Sequence, residues 1–331
     1  MTASLLEQRY RHVLRLLPAS YRAEREEEMV AEFMDMSGEV PDEVNPRPRW
    51  GEIASVLALS VRIRLGITPQ YVAWGETVRL VAVLGVAFHA LTALSAVADL
   101  VVSVTVLGEP QFVGMPGSTE RLFKIGEAAA LCLWVVAFVA LMRGRARLAK
   151  VTAALGGAWS LFLVDIHGSS LMGASSVLLV AVPVLATLVG FHGDAPPARR
   201  PWWVALLPLT AVTLLAWAAP LLMTEDTLWL YPWLNRMGIA VLAVVVVGTH
   251  WLVRGGSPAL PLALAILGAL ALLTRLPELG WNPPDTNPDF VGEIYWTSML
   301  VQCVALGVMT VTLAVAGLRA LPATRVAWSV R

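Results

Sequence analysis

The stretch Val78 to Leu107, VRLVAVLGVAFHALTALSAVADLVVSVTVL, decides the fold. About 20 apolar residues are enough to cross the hydrocarbon core of a bilayer at about 1.5 Å of rise each, and this is the first segment of the chain that reaches that length. The residues before it are amphipathic and most of those after it are apolar, so the chain divides here into residues 1–75 and 76–331. The stretch also carries His89 and Asp99, side chains that hydrocarbon penalises. On a wheel of about 100° per residue, His89, Thr92, Ser95, Asp99 and Ser103 share an arc of about 120°, with Gly85 and Ala96 in the same sector. Small and polar residues in one stripe are what a helix shows to neighbouring helices or to a wet cavity. The stripe therefore predicts a central place for this helix.

Composition agrees with a membrane protein. Of 331 residues, 57% are hydrophobic and 15% charged, against about 25% charged in a soluble domain. The apolar residues are gathered into eight runs, at about 78–107, 122–142, 148–166, 173–192, 202–223, 231–253, 258–277 and 293–318. Gly144 and the pair Gly255 and Gly256 mark run ends. Tryptophans such as Trp202, Trp229, Trp251 and Trp281 also sit at run ends, where amphipathic rings prefer the headgroup level. The first 30 residues hold basic and acidic side chains without an apolar core, which predicts no cleavable leader.

The breaks after the second, fourth and sixth runs, together with the tail, hold ten lysines and arginines, and the alternate breaks hold none. Counting Arg121, Lys124, Arg236 and Arg275, at the other ends of the runs, makes the contrast 10 to 4. The positive-inside rule then places both termini in the cytoplasm, as an even number of spans requires. Formal net charge is zero, so no nucleic-acid partner is implied.

The first 75 residues read as three short helices. Leu6, Tyr10, Val13, Leu14 and Leu17 form one apolar face, and Met29, Val30, Phe33 and Met36 form a second opposite an acidic side. Residues 38–49 contain three prolines and read as a linker. In the third helix, Trp50, Ile53, Leu57 and Val61 fall within an arc of about 80°, and the faces of the three helices could pack against each other, against a dimer partner or against the inner membrane surface. The run YRHVLRLLPASYRAEREEEMVAEF, with Leu14, Leu17, Pro18, Arg22 and Glu26 to Glu28, resembles the HAAS-type helical signalling domain found ahead of transmembrane segments in actinobacterial and other bacterial membrane proteins. The resemblance covers roughly residues 5–65 and implies a protein-binding role, with a cytosolic regulator as the partner. Glu24, Glu27, Glu28 and Glu32 are the residues expected to meet a basic partner surface.

Within the spans, Asp99, Glu127, Asn235, Arg236 and Glu293 all fall in the half facing away from the cytoplasm, with His89 deeper. An ion deep in hydrocarbon costs at least about 2.5 kcal/mol on insertion scales. Arg236 is therefore expected to balance Asp99 or Glu127 in an outward-facing polar pocket. Asp165 with His167, and Asp285, Asn287 and Asp289, are weak imitations of metal sites; the calcium-loop pattern lacks its Gly and its final Glu. Cys132 and Cys303 lie in apolar runs and read as inert thiols. No catalytic motif of the soluble or zincin type is present, and neither a metal nor a cofactor is indicated.

The expectation is an all-α polytopic bundle of about eight transmembrane helices with a small cytosolic three-helix domain. The function read from it is a membrane-bound regulatory or sensory component. A small-molecule transporter or permease subunit is the rival reading, and a polytopic enzyme the third.

Overall fold

The computed structural model describes residues 4–38, 42–44, 46–64, 69–102, 115, 117–167, 170–191, 229–281 and 290–321. Among them all regular structure is helical: α1 (Leu5–Leu14), α2 (Ala19–Ser37), a 3-10 turn (Asp42–Val44), α3 (Trp50–Arg64), α4 (Pro69–Val102), α5 (Thr119–Met142), α6 (Ala146–His167), α7 (Ser170–Gly190), α8 (Tyr231–Leu234), α9 (Arg236–Arg254), α10 (Ala259–Trp281) and α11 (Phe290–Arg319). They fall into two compact units, whose boundary lies between Glu76 and Thr77.

In the first unit, Ser4 caps α1 by accepting from the Glu7 amide at 3.2 Å, and Gly38, at φ 67°, ends α2. Leu6, Tyr10, Leu14 and Leu17 bury against Val30 and Phe33, and the Tyr10 and Phe33 rings stack at 3.8 Å. Arg9 Nη1 donates to the Pro46 carbonyl at 2.7 Å and ties the proline-rich linker to α1. The Ser60 hydroxyl donates to Leu16 O at 2.6 Å. The acidic side of α2 is partly spoken for. Arg11 forms a fork on Glu27 at 2.7 and 2.8 Å and also bonds Glu7, which holds the Glu27 carboxyl below its ordinary range. Glu28 pairs with Arg25 at 3.3 Å. Glu24 and Glu32 are exposed.

The face of α3 that packs inside the unit is not the arc of Trp50, Ile53, Leu57 and Val61. Val56 and Ile63 bury with Ser60, while Trp50 (84% exposed), Leu57 and Val61 face out. The helix is apolar on two sides, and the buried set is centred about 110° round from that arc. Met36, placed in the core of α2 by its spacing, is exposed as well.

Among the described residues of the second unit, six helices are long and apolar enough to cross a membrane: α4, α5, α7, α9, α10 and α11. Exposed Val136, Leu185, Val246, Val304, Val308 and Val311 on their outer sides make a surface that suits lipid better than water. The chain is a multi-pass membrane protein. The third expected span coincides with α6, which is helical but outside those six, and the fifth, 202–223, lies outside the described residues. So do Ser103 to Leu107 of the first span. Gly144 and Gly255, at φ 72° and 71°, close α5 and α9 where the run ends predicted.

Two apolar cores flank α4. Val81, Ala82, Val86 and Ala90 pack with Trp134, Phe138 and Ala153 of α5 and α6 and with Val180 of α7, while Leu84 joins the core of α9, α10 and α11 around Val241, Leu264 and Leu306. The apolar windows of α4 and α10 are 50% and 56% buried, against 39% or less in the other four spans. The central place predicted for α4 is the one observed. Its stripe explains the contact with α7: Gly85 sits so close to Pro183 that a Cβ would come 2.5 Å from the proline Cγ. Four residues on, His89 Nε2 lies 3.1 Å from Leu179 O. Pro183 has no N–H, so the carbonyl of Leu179, four residues earlier, has no helical donor. A carbonyl only accepts, so His89 carries its proton on Nε2 and supplies the missing bond.

Candidate functional site

A cavity of about 510 Å³ opens within the second unit, where α8 meets α9 and α10 nears its end. The size is that of ordinary ligand sites, about 300–1,000 Å³. Phe88, His89 and Thr92 of α4 form one wall and Leu179 of α7 adjoins them. Tyr231, Asn235, Arg236 and Met237 form the next, and Arg275, Glu278 and Tyr295 complete it.

The local fold of that wall turns on Asn235. The apolar run 231–253 is not one helix, because Asn235 is extended (φ −69°, ψ 164°) and separates the single turn α8 from α9. Its Oδ1 accepts from the Gly238 amide at 2.8 Å, the N-cap of α9, and from Arg275 Nη2 at 3.1 Å. Gly238 is required there, since a Cβ would run into the Pro232 carbonyl. Gln302 of α11 donates to the same carbonyl at 2.7 Å and holds the turn from the other side.

Arg275 is 2% exposed, the most deeply buried charge of the described residues. Its Nη1 donates to Glu278 at 2.7 Å, one turn along α10. Its Nε is buried without a partner among the described residues, and Nη1 and Nη2 are held by Glu278 and Asn235. Arg236, exposed at the first residue of α9, forms no ion pair with any described residue. With Arg275 offset by Glu278, the wall carries one positive charge that no described residue compensates, next to the amino terminus of a 19-residue helix whose dipole adds to it.

His89 is 7% exposed, and its ring stacks on Trp134 at 4.3 Å; the Trp134 Nε1 donates to Ser160 Oγ at 3.2 Å. Its role in the cavity is that of a wall held in place from both sides.

Of the residues singled out from sequence, His89, Asn235 and Arg236 come together here, whereas Asp99, Glu127 and Glu293 do not line the cavity. Asp99 shares the wheel sector of Thr92 but lies seven residues, about 10 Å, beyond it and is exposed. Glu127 belongs to α5, which contributes no lining residue. Glu293 is two residues from Tyr295, about 200° round α11, and is exposed. No ion pair joins Arg236 to Asp99 or Glu127 among the described residues; the acid of the cavity is Glu278, paired with the other arginine. Arg275 and Glu278 were legible as an i, i+3 pair of opposite charge at the end of an apolar run.

A second cavity of about 470 Å³ adjoins the first through Phe88, His89, Leu179 and Met237. The rest of its wall is apolar, from Gly85 and Leu91 of α4 and Phe138 of α5 to Ala243 and Val247 of α9 and Leu264 and Leu267 of α10. No three His, Cys, Asp or Glu side chains come together to hold a metal among the described residues. The side chains of Asp165 and His167 and the whole of Asp285 to Asp289 lie outside the described residues. No family model matches the chain, and neither a curated protein nor a solved structure does.

Proposed function

We propose that the protein is a ligand-responsive regulatory component of a bacterial inner membrane. In this reading eight spans cross the bilayer with both termini in the cytoplasm. The 10 to 4 contrast in basic residues between alternate breaks supports that orientation. Residues 1–65 are a HAAS-like helical domain that engages a cytosolic regulator protein, and the cavity around Arg236 and Arg275 receives the signal.

The observation that carries the proposal is the cavity itself: a polar chamber with an uncompensated arginine, walled on one side by α4. Arg236 is exposed at the start of α9 and takes part in no ion pair among the described residues, so it is free to meet a ligand there. The same helix α4 runs unbroken from Pro69 to Val102 and carries Phe88, His89 and Thr92 of the chamber wall. A ligand that favours one setting of α4 shifts the population of that setting by its differential affinity.

The test is hydrogen exchange of the full chain in nanodiscs. Replacing Thr92 by Leu or Arg236 by Gln is expected to change the protection of amides within residues 5–64. Unchanged exchange there, together with altered solute flux in reconstituted vesicles, would overturn the regulatory reading in favour of a transporter.

A further inference from the structure

We infer that the ligand is an anionic amphiphile, a carboxylate- or phosphate-headed molecule with one acyl chain, lying across both cavities. This rests on the reading that the chamber receives a ligand, and names its chemical class. Three observations point the same way. The chamber has one exposed cation with no ion-pair partner among the described residues, Arg236, and beside it the buried guanidinium of Arg275. These are the requirements for binding a carboxylate or phosphate by charge-assisted hydrogen bonds.

The second cavity is the opposite in character. Apart from His89, which is already bonded to Leu179, every side chain that lines it is apolar. At about 30 Å³ per group, the volume of a water and close to that of a methylene, its 470 Å³ holds about 15 groups. That suits one chain.

The third observation is continuity. Phe88, His89, Leu179 and Met237 belong to both walls, so head and tail can be bound by one molecule. A small inorganic anion would leave the apolar cavity unused, and an uncharged lipid would leave Arg236 unpaired.

The test uses the full chain in phosphatidylcholine nanodiscs and a palmitate carrying a photoreactive diazirine in its chain. Labelling is expected on the α4, α9 and α10 peptides that line the apolar cavity. Excess palmitate or lysophosphatidate should displace the probe at least about tenfold better than methyl palmitate, the worth of one hydrogen bond to a charged group. Inorganic phosphate should not displace it. Arg236→Gln should weaken labelling by about the same factor, and Arg236→Lys should retain most of it.

Equal displacement by methyl palmitate would overturn the headgroup assignment, and displacement by phosphate would replace the amphiphile by a small anion. Labelling confined to lipid-facing residues such as Val304 and Val308, and indifferent to Arg236→Gln, would reduce the contact to annular lipid and sink the proposal. Its failure is separable from that of the regulatory reading. If palmitate binds as expected and exchange in residues 5–64 does not respond, the ligand class stands and the regulation falls. If exchange responds to the cavity variants and no charged amphiphile labels, only the ligand class falls.

Discussion

His89 and Arg275 are both buried polar side chains in the wall of one cavity, 7% and 2% exposed, yet they are built differently. One nitrogen of the imidazole is explained by its neighbours: Pro183 leaves the Leu179 carbonyl without a donor, His89 Nε2 supplies it, and Trp134 backs the ring. The guanidinium is held by Glu278 and Asn235 and retains an unpartnered Nε. The His89 bond answers a vacancy that the fold itself creates, whereas Arg275 is a buried charge that two neighbours hold at the cavity wall.

The contrast can be broken at the scaffold first. Gly85→Val puts side-chain atoms where Pro183 stands and is expected to destabilise the bundle most, by about 3 kcal/mol; thermal unfolding in detergent measures it. If it is neutral, α4 and α7 do not meet as described. Asn235→Ala removes the cap of α9 and an acceptor for Arg275, together worth about 2.5 kcal/mol. A loss no larger than that of an ordinary cap, about 1 kcal/mol, would mean that Arg275 does not depend on it.

His89→Phe leaves the Leu179 carbonyl without a partner and should lose about 2 kcal/mol. The stronger test is the cycle with Pro183→Ala, which restores an N–H to that carbonyl. In the Pro183→Ala background the histidine substitution should lose less than about 1 kcal/mol. An undiminished loss would assign His89 a role beyond filling the gap.

The same contrast explains what could be read from sequence. Six of the eight expected span positions and the helix ends at Gly144 and Gly255 were legible because length, hydropathy and a left-handed glycine are local properties. The stripe of α4 was legible as a stripe, and its partner Pro183 could have been found too. A proline inside an apolar run orphans the carbonyl four residues earlier, and some polar side chain must answer it. The core face of α3 was not legible, since Trp50, Leu57 and Val61 compete with Val56 and Ile63 and only packing decides. The break at Asn235 was hidden inside run 231–253, where an apolar count continues through an N-cap residue without registering it. Asp99 and Glu127 were grouped with Arg236 by depth alone, while the pairing of Arg275 with Glu278 depends on a single turn of α10.

Arg236 supplies the smallest effect and the sharpest division between the two kinds of residue. It is exposed, starts α9 without capping it, and has no ion-pair partner among the described residues. Removing its charge by Arg236→Gln takes away no bond of the fold and relieves a cation at the positive end of a helix dipole. The expected change in unfolding free energy is within about 0.5 kcal/mol in either direction, measured in the same detergent as the scaffold variants. A substitution silent for stability and costly for labelling by the amphiphile would place Arg236 in the site and outside the scaffold. A loss as large as that of Asn235→Ala would instead show that the charge is compensated inside the bundle, and the cavity would then hold no free cation for an anionic head.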